Sequence, residues 1–232
     1  MDAIILAGGK ASRLGEAARG LPKALVPVAG HPLAAYQVAQ LARAGVQRVI
    51  VSCAHGQEGL FRQQLSGLGP EIVTAAETEP LGRGGGIRYA AAQREESGSI
   101  YVFNGDELQD VDLEALLDAH NRHAAAATIV VAPLVSQFGV VELATGDRIA
   151  GFREAPRLPH WVSAGVYVLG SEALARLPEH GDHEQSTFPE LAAEGKLYGY
   201  RHEGLWITVN TPKDLQRAEA YYEARPELQP GA

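Results

Sequence analysis

Three short clusters in this 232-residue chain hold residue types that handle phosphates. The first runs Leu6-Ala7-Gly8-Gly9-Lys10-Ala11-Ser12-Arg13-Leu14 and continues to Leu21-Pro22-Lys23. Paired glycines let a ligand approach the backbone closely, and the N–H groups they expose suit phosphate oxygens. Arg13 would grip a phosphate through its bidentate fork, and Lys23 would act as a point charge. The second cluster, Glu77-Thr78-Glu79-Pro80-Leu81-Gly82-Arg83-Gly84-Gly85-Gly86, carries four glycines in five residues. That density suggests a backbone packed closely on a flat ligand such as a base. The third, Asn104-Gly105-Asp106, follows an apolar run. One carboxylate at the end of a strand suits Mg²⁺, which usually takes one or two carboxylates plus substrate phosphates. On residue type alone each cluster keeps a plain alternative: a solvated surface loop, a loop leading into a helix, and a turn or N-cap aspartate.

Other chemistries find less support. Gly9-Lys10 is not a Walker A loop, because the upstream glycine position holds Ile4 and no Ser or Thr follows the lysine. The glycines after Leu81 fail the G-x-G-x-x-G spacing, and no G-x-S-x-G elbow exists for an esterase triad. His120 and His123 have no thiolate or further histidine nearby to complete a zinc site. Cys53 falls inside an apolar run and reads as core. Glu179-His180-Gly181-Asp182-His183-Glu184 is a dense polar cluster that would form a solvated turn or line a pocket mouth.

The elements that must position these clusters follow from hydrophobic period. Ala3–Ala7, Val49–Cys53, Ile72–Ala75 and Ile100–Phe103 are short apolar runs of the kind found in strands buried on both faces. Helical spacing over 33–44, closed by Gly45, and over about 56–66 separates them, and a helix follows the Gly-rich loop 78–86. This β-loop-α alternation argues for a parallel sheet covered by helices on both faces, with ligands beyond the carboxyl ends of the strands. From 126 onward the texture changes to Thr128–Leu134, a hairpin of Gly139–Leu143 and Arg148–Arg153 around Thr145-Gly146-Asp147, and strands at Ser163–Leu169 and Leu205–Val209. Helices are expected at 171–177, 187–194 and 212–224, the last opened by Thr211-Pro212, and a frayed tail at 226–232.

Composition fits a folded chain of one large domain or two small ones: 46% apolar residues and 21% charged residues, with a formal net charge of −8. A net acidic chain is a poor partner for nucleic acid as a polymer. One cysteine excludes an internal disulfide framework and suits a reducing cytosol. No apolar run reaches the roughly 20 residues a bilayer span needs, and Met-Asp-Ala-Ile-Ile-Leu lacks the basic start of a signal peptide, so a cytoplasmic location away from membranes is expected. Only four of the 20 basic residues are lysines, and two of these, Lys10 and Lys23, fall in the first cluster.

Taken together and in this order, the clusters resemble the sugar-1-phosphate nucleotidyltransferase family. The family opening, LAGG-x-G-T-R-L…PK-x-L-x-P-V-x-G-x-P, is matched by Leu6–Leu14 and Pro22–Pro32. Glu79–Gly85 is similar to its LGTGGA loop, with Arg83 in place of threonine, and Asn104-Gly105-Asp106 matches its NGD. Later segments match at Phe138–Val141, Ala164–Tyr167 and Trp206…Thr211-Pro212-Lys213-Asp214-Leu215, so the resemblance covers about residues 2–222. It implies a Rossmann-like, mainly parallel mixed sheet within one domain over 1–225, its nucleotide half at 1–125 and its sugar half at 126–225. It also implies that the C-terminal β-helix domain of longer members is absent.

Carried onto this chain, the resemblance places Leu6, Ala7, Gly8, Gly9, Gly82 and Gly85 against the nucleotide. Arg13 and Lys23 would serve the reacting phosphates, and Asp106 would hold Mg²⁺. Asn104, Gly139, Glu154 and Gly165 would line the sugar site. The implied reaction joins an NTP to a sugar 1-phosphate with loss of pyrophosphate. The short guanylyltransferases are the nearest likeness, with GTP and a mannose- or heptose-type 1-phosphate. Glucose 1-phosphate with dTTP or UTP, and a cyclitol phosphate, other phosphate or phosphonate with CTP, are alternatives. A catalytically weakened nucleotide-sugar-binding subunit is an alternative of another class, and homodimerisation is left open. Two positions depart from the family. Glu154-Ala155-Pro156 lacks the sugar-phosphate lysine, for which Arg153, Arg157 or Arg83 are candidate replacements, and Thr208 stands where the family has a second metal-binding aspartate. Asp106 alone, or a recruited Asp182 or Glu184, would then serve the metal.

Overall fold

The computed structural model describes residues 1–231. Its central sheet has seven strands. Four of them are the expected apolar runs: β1 (Asp2–Leu6), β4 (Arg48–Ala54), β5 (Glu71–Glu77) and β6 (Ile100–Asn104). The other three are β8 (Ala127–Val135), β11 (Arg157–Leu169) and β12 (Leu197–Arg201). The order is β12-β8-β11-β6-β1-β4-β5. Strands β1, β4, β5 and β6 run parallel, while β11 is antiparallel to both β6 and β8. The sheet is therefore mixed and mainly parallel, as the sequence implies.

Helices α1 (Leu33–Arg43), α2 (Glu58–Leu65), α3 (Gly82–Ala91) and α4 (Leu113–Arg122) follow within the first half of the chain. Ile4 on β1 packs with Ile50, Ile87 and Val102 on one side of the sheet. Ala3 and Ile5 pack with Val49, Val51, Phe61 and Phe103 on the other. That two-sided burial is why β1 is apolar at successive positions rather than alternating. The connection from β1 leads to β4 on one side, and the chain later returns to β6 on the other. The strand order reverses beside β1, and a crevice opens at the carboxyl ends of β1 and β6.

The sequence pattern misses several small elements. A two-stranded clip, β2 (Pro27–Val28) with β3 (His31–Pro32), folds part of the expected long loop. Strand β7 (Glu107–Gln109) pairs with β13 (Trp206–Thr208), so the expected strand at 205–209 lies outside the main sheet. Strand β12 joins the edge of the sheet, although Leu197-Tyr198-Gly199-Tyr200-Arg201 has too little apolar content to announce itself. The hairpin forms as expected, with β9 (Val140–Leu143) against β10 (Ile149–Arg153), and stands as a separate ribbon with Leu143, Ile149 and Phe152 exposed.

Helices α5 (Ser171–Ala175), α6 (Thr187–Ala193) and α7 (Pro212–Glu223) complete the chain. The start of α7 is a full capping box: Thr211 accepts from the Asp214 amide, and Asp214 accepts from the Thr211 amide. A separate small core joins Leu14, Val26 and Val28 to Ile207, Val209 and Leu215. It fastens the loop after β1 to the β13–α7 segment. Pro226–Leu228 forms one turn of 3₁₀ helix rather than a frayed tail, and Ala232 of that segment lies outside the described residues.

Candidate active site

A cavity of about 430 Å³ opens at the crevice beside β1. Its floor is made of strand ends held in register: Leu6 lies opposite Ser52 on β4 and opposite Asn104 on β6. The turn after β6 is drawn in by a hydrogen bond from the Gly105 amide to the Leu6 carbonyl at 2.9 Å. A Cβ at Gly105 would fall 2.4 Å from that carbonyl oxygen, so only glycine permits the approach.

Gly8, Gly9, Lys23 and Asp106 line one part of the cavity, with Leu6 and Ala7 beneath them. Lys23 is nearly buried, and its Nζ donates to Asp106 Oδ2 at 2.5 Å. The same ammonium donates to Asn210 Oδ1 at 2.7 Å, and Arg13 Nη2 donates to that oxygen at 2.7 Å. Three of the residues expected to do chemistry thus meet in one place, although they are far apart in sequence.

The glycines of the second cluster behave differently from expectation. They form no loop; α3 begins at Gly82. Four glycines disfavour a helix by roughly 1 kcal/mol each relative to alanine, so tertiary packing must hold it. The segment 178–183 supplies that packing. Both the Gly84 and Gly85 amides donate to the Gly181 carbonyl, at 2.9 and 3.4 Å. A Cβ on Gly82 would lie 2.6 Å from the Gly181 oxygen, and one on Gly85 would lie 2.4 Å from the Glu179 oxygen. Gly82 lines the cavity, whereas Gly85 is buried against this segment and lies outside the cavity lining. The polar cluster 179–184 is therefore a clamp on α3.

Arg83 donates through Nε to Asp182 Oδ2 at 2.9 Å and reaches Glu184 Oε2 with Nη2 at 2.7 Å. Its single positive charge is thus shared by two carboxylates, so it is fully engaged and the group as a whole stays negative. Arg157 pairs with Glu203 and Arg153 with Glu142, both at exposed positions. Among the described residues these three arginines are thus engaged by carboxylates, and only Arg83 lines the cavity.

At the other end of the cavity, the lining residue Asn104 meets Gly165 on β11, which itself lies outside the lining. Gly165 has φ +71°, and a Cβ there would sit 2.7 Å from Glu107 Cγ and 2.8 Å from Asn104 Nδ2. Asn104 Oδ1 is buried without a hydrogen-bond partner. Gly139 and Glu154 come together at the root of the ribbon, where a Cβ on Gly139 would meet the Phe152 ring and Glu154 Oε2. They lie outside the cavity lining.

Two cavity residues escaped the sequence reading. Glu107 is buried at 7% exposure, its Oε2 accepting from Trp206 Nε1 and Thr208 Oγ1, both at 2.8 Å. Burial, then the adjacent Asp106 carboxylate, push its acid up to about 8, against the opposing pull of those hydrogen bonds and Lys23. So Thr208, which replaces an expected aspartate, is bonded to a carboxylate supplied by the opposite strand. Glu77 ends β5 and lines the cavity with Ser52, whose hydroxyl donates to its Oε1 at 2.5 Å. The Leu81 amide donates to its Oε2 at 3.1 Å. An acidic residue at a strand's carboxyl end could have marked Glu77, whereas Glu107 opens a short strand and carries no such mark.

Cys53 is fully buried, and burial raises its thiol to about 11, consistent with a core role. His120 is also in the core, between Ser99 Oγ and Thr128 Oγ1. No helix among the described residues is long and apolar enough to cross a membrane.

Comparison with known proteins agrees with this geometry. The nucleotidyl transferase family model matches residues 2–225. The chain belongs to that family. Over 231 residues it is 33% identical to the mannose-1-phosphate guanylyltransferase of Mycobacterium tuberculosis, covering 95% of this chain and 64% of that protein. The mannose-1-phosphate guanyltransferase of Saccharomyces cerevisiae is 30% identical, with 96% and 64% covered. The chain thus spans about 64% of the length of these relatives. The crystal structure of HddC from Yersinia pseudotuberculosis superposes with a TM-score of 0.74 at 20% identity, covering 95% of this chain and 99% of that one. That structural likeness shows the fold.

His183, in the clamp on α3, gives a pH test of this packing. It is fully buried between Tyr167 and Phe188, and neither ring nitrogen has a hydrogen-bond partner. Burial lowers its pKa to about 4, although Glu184 and Asp182 act to raise it. The fold needs the neutral ring, so this stabilisation is complete above the ordinary histidine value near 6.5 and is lost as pH falls toward 4. His183→Phe should remove about 2 kcal/mol of the stability lost between pH 7 and pH 4.5, measured by urea unfolding at each pH. Parallel pH profiles for the two proteins would refute this.

Proposed function

We propose that this chain transfers a nucleoside monophosphate from GTP to a mannose- or heptose-type 1-phosphate, giving an NDP-sugar and pyrophosphate. The observation that carries this reading is the pairing of Lys23 with Asp106 in the lining of a cavity formed at the strand-order reversal, with Arg13 tied to Lys23 from outside that lining through Asn210. The activities named for the relatives above point the same way.

In the reaction a phosphate oxygen of the sugar 1-phosphate bonds to the nucleotide α-phosphorus. The bond from that phosphorus to the bridging oxygen breaks, and its electron pair leaves with pyrophosphate. The attacking oxygen is already anionic, so no general base is required. The difficulty is to bring two anions together, and catalysis is then positioning and charge neutralisation. Lys23 supplies a nearly buried positive charge beside the reacting phosphates, and Arg13 offers its remaining N–H donors to the departing pyrophosphate. The glycines at 8 and 9 leave backbone room for phosphate oxygens, since a Cβ at either position would meet nothing.

The donor set also fits a divalent cation. Asp106 lines the cavity with Glu107 next to it, and Mg²⁺ needs only one or two carboxylates when substrate phosphates complete its shell. Asp106 would hold it, and the ion would add neutralising charge at the phosphates. Asp182 and Glu184 are engaged by Arg83 and are not needed.

Glu77 supports guanine as the base. A guanine edge presents two adjacent donors, N1–H and the 2-amino group, and no other common base sets two donors side by side. A carboxylate accepts at both of its oxygens, and each Glu77 oxygen keeps capacity after its bond to Ser52 or Leu81. Asn104 and Gly165 mark the sugar end.

A pyrophosphate-release screen of five NTPs against sugar, heptose and cyclitol 1-phosphates tests the reading. GTP with a mannose- or heptose-type phosphate should give the highest turnover. Nucleotide binding without turnover across the panel would instead indicate a regulatory subunit. Arg13→Ala and Asp106→Ala should each lower turnover at least about 100-fold, the scale of one lost electrostatic contact in a transition state. Glu77→Gln should lower kcat/KM for GTP about tenfold or more, with other NTPs affected less. An unchanged ranking of NTPs in that variant would remove Glu77 from base recognition.

A further inference from the structure

Asn210 Oδ1 touches both cations of the cluster, Arg13 and Lys23, each at 2.7 Å. Because both neighbours are cationic donors, the amide has one sensible orientation, with its oxygen toward them. The backbone that carries it is fixed from three directions. The Asn210 amide donates to Asp214 Oδ2 at 3.1 Å and to the Thr208 carbonyl at 3.0 Å. The adjacent Val209 amide donates to the Asp106 carbonyl at 2.9 Å. Behind these bonds, the Leu14–Val26–Val209 core ties the loop carrying both cations to the same segment.

We propose that Asn210 is a positioning residue whose neutral oxygen gathers Arg13 and Lys23 without cancelling their charge. This proposal rests on the nucleotidyl-transfer reading above. Two cations held near one another repel, and an acceptor between them offsets that repulsion. A carboxylate would do this more strongly, but it would also neutralise the cluster. With Asp106 already present, Arg13, Lys23 and a neutral Asn210 leave one net positive charge for phosphates. An aspartate at 210 would leave none. The ammonium keeps one N–H free after its bonds to Asp106 and Asn210, and most donors of Arg13 remain available.

Two substitutions separate position from charge. Asn210→Ala keeps the charge and loses the common acceptor. Asn210→Asp keeps the acceptor and loses the charge. For Asn210→Ala the expected result is a fall in kcat of about 10- to 100-fold, the range for residues that orient functional groups. Its affinity for inorganic pyrophosphate, measured by calorimetry without added metal, should stay within about threefold of wild type. For Asn210→Asp, pyrophosphate affinity should fall about tenfold or more, the loss should shrink in high salt, and kcat at saturating NTP should fall less than in Asn210→Ala. Thermal midpoints should match wild type in both variants.

A wild-type kcat in Asn210→Ala would overturn the proposal. So would identical losses in both variants with lowered thermal midpoints, which would show a structural role only. If the wild-type protein shows no turnover on any substrate pair, the nucleotidyl-transfer reading fails by itself. The pyrophosphate titrations then decide the proposal: weaker binding in Asn210→Asp upholds it, and unchanged binding overturns it.

Discussion

The contact between Lys23 and Asp106 sets the terms for the rest of the molecule. A nearly buried ammonium needs a partner, and this one finds it 83 residues along the chain. The pair can form only if the loop after β1 is folded back over the end of β6. The small core around Leu14, Val26 and Val28 provides that fold-back by packing on Ile207 and Val209. The β7–β13 ladder then brings Thr208 opposite Glu107, next to Asp106. Distant parts of the chain are therefore committed to one point by a charge that is costly to leave alone in a low-dielectric place.

The same point explains a division of labour in the sheet. The parallel half supplies backbone and glycines, because parallel strands end together and leave a crevice where the order reverses. The later strands back that crevice from outside its lining, where β11 brings backbone against Asn104. Strand β11 runs antiparallel to β6, which lets Gly165 press against Asn104 and Glu107 rather than extend away from them. The mixed character of the sheet is what sets that glycine against two residues of the cavity lining.

Much of this was legible in the residues. The runs Ala3–Ala7 and Ile100–Phe103, and Val49–Cys53 but for Ser52, are apolar at successive positions because both faces are covered, and their short length between turn residues marks them as strands. Arg13, Lys23 and Asp106 stood out through the resemblance of the whole set of clusters, since each alone also fits a solvated loop or a turn. What stayed hidden was decided by contacts far along the chain. Gly82–Gly86 reads as a loop by propensity, yet it is helical because the segment 178–183 packs where side chains would be. Asn210 and Glu107 carry no local signature at all; an asparagine before a helix cap and an acid in a short strand are ordinary. The arginines proposed to replace a lysine at Ala155 have carboxylate partners that no spacing rule foretells.

The glycine joint between α3 and the segment 178–183 also limits how this protein can change. Backbone meets backbone there, so Gly82 and Gly85 cannot acquire a side chain unless the facing segment moves too. Change at this end of the cavity is thereby channelled to the side chains that border it from other elements: Ser52, Glu77 and Pro80. The glycine joint is frozen by geometry, and the side chains beside it are where new specificities can be written.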